Sequence, residues 1–121
     1  MKLDIKINNN MLNKIISYNI KEISKKLKLN FPSLWVYQIA IEVSIIGCFT
    51  RVIYNLKMKN SLNKEIFNII YNICETLLIE KFKHLYLKRN INSSTAKFLR
   101  FAKICYDDLF NNDKNEILLY V

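Results

Sequence analysis

The alternation of apolar and polar residues divides the chain into four helical segments, and the most apolar of them is the segment 33–56. It reads SLWVYQIAIEVSIIGCFTRVIYNL and has few large polar residues, among them Gln38, Glu42 and Arg51. A helix that is hydrophobic on all sides is either a membrane span or the centre of a bundle. Because Glu42 and Arg51 would each cost roughly 2.5–3.5 kcal/mol inside a bilayer, we expect no membrane span and predict a central bundle helix.

One side of this central helix is rich in small residues, which are Ala40, Ser44, Gly47 and Cys48. Small side chains let a neighbouring helix approach closely. We therefore predict that this side is packed, and that a leucine at Gly47 would overpack the core. Glu42, if it is buried, needs a cationic or hydrogen-bonding partner, and Arg51 lies on the opposite face and cannot serve.

Three further helices are predicted from apolar residues that recur every three or four positions. The first helix spans 10–28, and its apolar stripe consists of Leu12, Ile16, Ile20, Ile23 and Leu27. The third helix spans 62–88, and its apolar face includes Ile66, Ile69, Ile70, Ile73, Leu77 and Leu85. The fourth helix ends near residue 110, and its inward residues are Phe98, Leu99, Ala102, Cys105, Tyr106 and Leu109.

Short polar residues precede the third and fourth helices and are typical of N-caps, which accept hydrogen bonds from free N–H groups of the first turn. Asn60 or Ser61 is predicted to cap the third helix, and Ser93 or Ser94 the fourth. The chain contains one Gly and one Pro, which excludes glycine-rich phosphate loops and most tight hairpins. The predicted fold class is therefore all-α, a four-helix bundle that forms a single domain over residues 1–121.

The two ends of the chain carry short apolar segments. Residues 2–7, KLDIKI, alternate strictly between apolar and polar side chains and predict a short strand. Residues 116–121, EILLYV, are predicted to form a second strand or a docked tail. An unpaired strand edge carries open N–H and C=O groups, so we expect the two segments to pair within the chain or across a two-fold homodimer.

The charge of the chain suits an anionic partner, because 19 Lys and Arg against 10 Asp and Glu give a net charge of +9. The excess is larger than the lysine bias of an AT-rich genome explains. Basic residues fall on one face of three helices: Lys14, Lys21, Lys25 and Lys28; Lys81, His84, Lys88 and Arg89; Lys97, Arg100 and Lys103. Such rows suit phosphate contacts, and base-stacking candidates are Tyr18, Phe82, Tyr86 and Phe101.

The segment 20–39 has the rhythm of a helix-turn-helix motif, with the small residue Ser24 where the two helices would cross. A recognition helix needs polar side chains for base edges, whereas this one carries Trp35, Val36 and Ile39. The polar residues able to reach DNA would be Asn30, Ser33 and Gln38. We therefore interpret the segment as an ordinary turn between two packed helices.

The residues needed for catalysis or for a metal site are sparse. His84 is the single histidine, and with Glu80 it would supply two metal ligands where a site needs three or four. The cysteines lie one on each of three predicted helices, as Cys48, Cys74 and Cys105. This spacing predicts neither a zinc motif nor a disulfide framework. We expect buried free thiols, no cofactor and no enzymatic activity.

The sequence thus predicts a small basic binding protein that contacts nucleic acid, as a regulator or as a subunit of a nucleoprotein complex. The alternative is a protein-interaction module, such as an inhibitor, immunity or host-modulating factor of viral or mobile-element type. The N-terminal sequence lacks the apolar run of a signal peptide, so an intracellular location is expected. Basic rows that merge into one surface would favour nucleic acid, and an exposed apolar groove would favour a protein partner.

Overall fold

The computed structural model of the protein describes residues 9–28, 35–84 and 90–111, and these residues form a bundle of four helices. The helices are α1 (Asn9–Lys28), α2 (Trp35–Met58), α3 (Lys64–His84) and α4 (Ile91–Tyr106), and a π-helical turn, Asp107–Asn111, continues α4. The prediction of an all-α four-helix bundle around a central apolar helix is confirmed. The predicted terminal strands 2–7 and 116–121 lie outside the described residues.

The helices alternate in direction along the chain, and α2 and α3 each contact all three other helices. The N-terminal end of α1 lies against the C-terminal end of α2, where Leu12 and Leu56 border one groove. α3 returns antiparallel to α2, and α4 runs parallel to α2, with Asn90 near Gln38. Both α1 and α4 pack against the α2–α3 pair. α1 and α4 share at most a marginal contact with each other, so they lie on opposite sides of that pair.

The core is centred on Phe49, a fully buried residue of α2. Its ring makes edge-to-face contacts with Phe67 of α3 at 5.4 Å and with Phe98 of α4 at 5.2 Å between centroids. Tyr71 of α3 stacks on Phe98 at 5.0 Å. Edge-to-face pairs add to the energy of apolar burial, so the aromatic cluster holds α2, α3 and α4 together. On the α1 side the core is aliphatic, with Leu12 and Ile16 buried.

The turn between α2 and α3 ends one helix and begins the next through its own hydrogen bonds. Asn60 adopts the left-handed conformation (φ 57°), and the Ser61 N–H donates to the Leu56 carbonyl, 2.9 Å away. This is the arrangement that satisfies the last carbonyls of a helix. Asn63 then caps α3, because its Oδ1 accepts from the Ile66 N–H at 2.8 Å. The prediction of a cap at Asn60 or Ser61 was wrong by two to three residues.

The start of α4 also differs from the prediction. Its N-cap is Asn90, not Ser93 or Ser94, and the Asn90 side chain makes no capping hydrogen bond. Ser94 is instead buried inside the first turn, where its hydroxyl donates to Glu42. The sequence shows a short polar residue at the right place, but the acid that attracts its hydroxyl lies 52 residues earlier.

Three apolar-face predictions need correction. Ile69 and Leu99 were expected in the core, yet they are 37% and 40% exposed, because the faces that pack are centred on Phe67 and Phe98. Gly47 was expected to be packed against a neighbouring helix. A Cβ at Gly47 would meet no atom within 4 Å, so a larger side chain there does not overpack the core. The other small residues of that row, Ala40, Ser44 and Cys48, are buried as expected.

The length and composition of α2 alone would allow it to cross a membrane. Among the described residues it is the one helix with such a length and composition, and 44% of its most apolar stretch is buried inside the bundle. Its buried residues are shared with α1, α3 and α4. The core helix of a water-soluble protein can have the same length and composition.

Candidate functional site

The lysine row of α1 forms an exposed basic face. Lys14, Lys21 and Lys25 are exposed, and they lie opposite the buried residues Leu12 and Ile16. A helix with this arrangement buries one stripe and leaves its charges in solvent. Lys28 lies in the last turn of α1, and its side chain is outside what the structure describes. The predicted α1 row therefore holds for its first three members.

Tyr18 lies within this row, one turn from both Lys14 and Lys21. It is 64% exposed and is the only aromatic residue among the exposed large hydrophobic side chains of the described part of the chain. The acid nearest to the row in sequence is Glu22, whose carboxylate is 3.8 Å from the Lys25 ammonium. Because the Lys25 side chain is 75% exposed, this pair contributes little. We call Lys14, Tyr18, Lys21 and Lys25 the α1 face.

The basic row of α3 is only partly available. Lys81 is half-buried, and its ammonium donates to the Ser17 hydroxyl of α1 at 2.6 Å. His84 is exposed, while Lys88 and Arg89 lie outside the described residues. The contact between Lys81 and Ser17 joins the two helices at this level, so the end of α3 adjoins the α1 face.

The basic row of α4 is separate from the α1 face, because α1 and α4 lie on opposite sides of the α2–α3 pair. Lys97 is committed within the fold, since its ammonium is 3.5 Å from a carboxylate oxygen of Glu42. The same oxygen accepts from the buried Ser94 hydroxyl at 2.5 Å. Arg100 and Lys103 are exposed. The three predicted rows thus form two basic surfaces and not one.

The polar partner that Glu42 requires is supplied by α4. Only 16% of the Glu42 side chain is exposed, and Ser94 and Lys97 provide its two hydrogen bonds. Arg51 is exposed and takes no part in them, as the sequence predicted. The sequence required a partner for Glu42 but did not identify one, because Ser94 and Lys97 lie 52 and 55 residues away.

The residues of the helix-turn-helix alternative are placed for packing as far as the structure describes them. Val36 is fully buried, and Ser24 is buried between helices. The Gln38 Oε1 accepts a hydrogen bond from Asn90 at 2.7 Å, so it ties α2 to the start of α4. Asn30 and Ser33 lie outside the described residues.

The other stacking candidates differ from Tyr18. Phe82 is fully buried, and Phe101 is partly buried against the core. Tyr86 lies outside the described residues. An aromatic ring can stack on a base only if one of its faces is open. Tyr18 is therefore the candidate that meets this condition.

A groove between α2 and α4 was not predicted. Its upper part is an apolar cavity of about 200 Å³ beside Val43, Ile46 and Phe98. Its lower part, of about 630 Å³, is bordered by Tyr54, by Ile104 and by two acids, Asp107 and Asp108. Val43 is 50% exposed and Ile104 is 68% exposed. The sequence pattern gives little sign of this groove, because Ile104 is one apolar residue next to the basic residue Lys103.

The lower part of this groove holds a tyrosine–acid pair. The Tyr54 hydroxyl donates to a carboxylate oxygen of Asp108 at 3.2 Å. Burial, together with the neighbouring Cys105 and Asp108, raises the pKa of Tyr54 to about 12. Burial likewise raises the pKa of the Cys105 thiol. Both groups therefore stay protonated near neutral pH, and Tyr54 acts as a hydrogen-bond donor.

The three cysteines are free and buried, as predicted. A hydrogen bond between the Cys48 and Cys74 thiols lowers the pKa of Cys48 and raises that of Cys74. No group of three or more His, Cys, Asp or Glu side chains that could hold a metal ion occurs within the described ranges.

The comparisons with known proteins add no relative. No family model matches the chain, and neither a curated protein sequence nor a solved structure matches it.

Proposed function

We propose that this protein is a small non-enzymatic binding protein that contacts nucleic acid through the α1 face. The observation that carries the proposal is the exposed Tyr18 set within a row of exposed lysines, Lys14, Lys21 and Lys25. Proteins that bind single strands combine a basic track for the backbone with aromatic rings for the bases. The net charge of +9 adds a long-range attraction for any polyanion.

The chemistry of the α1 face favours contacts that do not depend on base sequence. A lysine ammonium is a point charge and lacks the planar fork with which arginine reads base edges. Phosphate contacts fix position and carry no sequence information. Tyr18 accepts any base on its ring face. The proposed ligand is therefore single-stranded nucleic acid, bound without a strong sequence preference.

The basic rows do not merge into one surface, and an apolar groove is exposed between α2 and α4; both observations favour a protein partner, so the nucleic-acid proposal rests on the α1 face alone. Lys97 is held by Glu42, and breaking that contact would leave a partly buried carboxylate without its cation. Arg100 and Lys103 remain as exposed charges and lie away from the α1 face. They add to the general attraction for phosphate but do not extend the row that contains Tyr18.

The charge part of the proposal is tested by salt dependence. Lys21→Gln/Lys25→Gln keeps helix propensity nearly unchanged and removes two of the lysines. We expect the slope of log affinity against log salt to fall by about 1.4 on single strands, about 0.7 for each phosphate that is no longer neutralised. The matched control is Lys57→Gln/Lys83→Gln, which removes the same charge from exposed positions on α2 and α3 and should leave the slope nearly unchanged.

The stacking part is tested separately with Tyr18→Leu, which keeps an apolar side chain at an exposed site. Stacking of a base on an aromatic ring contributes about 1–3 kcal/mol. Fluorescence anisotropy should therefore show about 5-fold or greater weakening on a single-stranded oligonucleotide, with little change on duplex. Equal weakening on both would contradict the single-strand preference. Absence of binding by the parent to either at about 50 mM salt would end the nucleic-acid proposal and favour a protein partner.

A further inference from the structure

The face formed by α2 and α4 leaves two large apolar side chains uncovered. Ile104 projects from α4 with 68% of its surface exposed, and Val43 of α2 is 50% exposed. Between their levels along α2 lies Gly47, where an added Cβ would meet nothing within 4 Å. Glycine in a helix interior is destabilising relative to alanine, and no contact among the described residues accounts for it.

We propose that a second copy of this chain covers this face across a two-fold axis that passes near Gly47. In the resulting dimer, Ile104 of each copy enters the apolar cavity beside Val43 of the other. The proposal concerns α2 and α4 and does not depend on nucleic-acid binding by α1.

The positions along the two helices make the face self-complementary. α2 and α4 run parallel, because Glu42 contacts Ser94 near one end and Tyr54 contacts Asp108 near the other. The apolar cavity of about 200 Å³ therefore lies at the level of Val43, and Ile104 lies at the level of Thr50 to Tyr54. A two-fold axis at the level of Gly47 brings the Ile104 level of one copy opposite the Val43 level of the other. The projecting side chain of each copy then faces the apolar cavity of its partner.

The charges at the two ends agree with the same axis. Asp107 and Asp108 lie at the lower end, where they accept hydrogen bonds from the neutral side chains of Asn111 and Tyr54. At the upper end Lys97 contacts Glu42 of its own chain, and half of the lysine side chain remains exposed. The two-fold axis brings the acidic end of one copy towards Lys97 of the other. In an isologous interface the same surface of both copies meets itself, and unlike ends that face each other suit such an interface better than like charges.

The position of Gly47 suits the centre of the interface. Gly47 lies at the middle of α2 (Trp35–Met58), and its missing side chain allows the two α2 helices to approach closely. A long side chain there, such as leucine, would hold the helices apart. Because a Cβ at Gly47 would meet nothing within 4 Å among the described residues, we expect such a change to act on association and to leave the packing of the described bundle intact.

Disulfide trapping tests the axis directly. Gly47→Cys places a thiol near the axis, where the two copies would bring the Cβ atoms within disulfide range, about 4 Å. We expect mild oxidation with copper–phenanthroline to give a covalent dimer at least about 10-fold faster than for Met58→Cys. Met58 is on the same helix and 83% exposed, but its two copies would lie roughly 30 Å apart at 1.5 Å per residue. Equal rates for the two variants would overturn the proposal.

A second pair of variants tests the projecting side chain without a cross-link. Ile104→Lys and Met58→Lys each add one charge at an exposed apolar site, so neither should unfold the chain. Sedimentation velocity should show a concentration-dependent dimer for the parent and for Met58→Lys, and a monomer for Ile104→Lys. A monomeric parent at millimolar concentration, or a dimer that Ile104→Lys leaves intact, would show that no second copy occupies this face.

Discussion

α1 and α4 are both basic amphipathic helices that pack on the α2–α3 pair, yet they attach in different ways. α4 is joined to α2 by aromatic contacts around Phe49 and by hydrogen bonds from Asn90, Ser94 and Lys97. α1 meets α2 through aliphatic and small side chains, and the buried hydroxyls of Ser24 and Ser44 have no hydrogen-bond partner among the described atoms.

A lysine in a predicted surface row can remain available for a ligand or can form part of the contacts between helices. The lysine row of α1 faces solvent with one acid, Glu22, close by in sequence, so its charges remain available for a ligand. On α4, Lys97 is part of the link to α2 through Glu42. Helical periodicity predicts both rows equally well, because it reports where a residue lies on its own helix and not which side chain approaches from another.

The largest effect is expected where α4 is anchored. Phe49→Ala removes a fully buried ring that contacts Phe67 and Phe98, and should lower the free energy of unfolding by about 3–5 kcal/mol. Tyr18→Ala removes an exposed aromatic ring from α1 and should change it by less than about 0.5 kcal/mol. Urea denaturation measures both. Comparable losses would mean that Tyr18 is packed against the bundle and not exposed.

A smaller loss is expected from the polar link. Glu42→Ala leaves the buried Ser94 hydroxyl without its acceptor, and should cost about 1–3 kcal/mol. Lys97→Gln should cost less than about 1 kcal/mol, because half of the lysine side chain is exposed and the ion pair is screened. If urea denaturation showed a larger loss for Lys97→Gln than for Glu42→Ala, the ion pair with Lys97 would contribute more to stability than the hydrogen bond from the buried Ser94 hydroxyl.

On the α1 side, removal of a buried polar group should raise the free energy of unfolding and not lower it. Ser44→Ala removes a buried hydroxyl that has no partner among the described atoms. An unsatisfied buried hydroxyl costs about 1–3 kcal/mol, so the variant should gain about 1 kcal/mol in the free energy of unfolding. Ser24→Ala should behave similarly. A loss of stability in both variants would show that these hydroxyls are hydrogen-bonded in solution, for example to bound water.

The smallest effect is expected at high pH. The pKa of Tyr54 is raised to about 12 in the folded protein, from an ordinary value of 10.0. The unfolded chain therefore releases this proton first, and stability that is fully present below pH 10 is lost as the pH rises towards 12. Tyr54→Phe should show a shallower decline than the parent in melting temperature across this interval. Parallel declines would mean that Tyr54 does not contribute.

The sequence predicted the elements better than the contacts between them. The core face of α1 follows from the spacing of residues such as Leu12 and Ile16, which are buried. Ile69 and Leu99 were assigned to the core because each follows the apolar period. The packed faces of α3 and α4 are instead centred on Phe67 and Phe98. Contacts within the aromatic cluster of three helices determine which face packs, and the pattern of a single helix does not show these contacts.

The candidate surfaces were predictable to different degrees. The α1 face needs only one helix, so the positions of Lys14, Lys21 and Lys25 were enough to find it. The α2–α4 groove requires knowing that Val43 and Ile104, 61 positions apart in the sequence, border the same seam. The unfilled space at Gly47 has the same origin, because an apolar helix pattern does not show which side the neighbouring helices leave open.

The turn around Asn60 also determines the order in which the bundle can assemble. Its hydrogen bonds link residues within five positions of each other, from Leu56 to Ser61, so closing the α2–α3 hairpin costs little chain entropy. The hydrogen bonds that attach α4 to α2 join residues 52 to 55 positions apart. They can form only after the hairpin exists. We therefore expect α2 and α3 to form first, and native-state hydrogen exchange to show α4 opening while their amides remain protected.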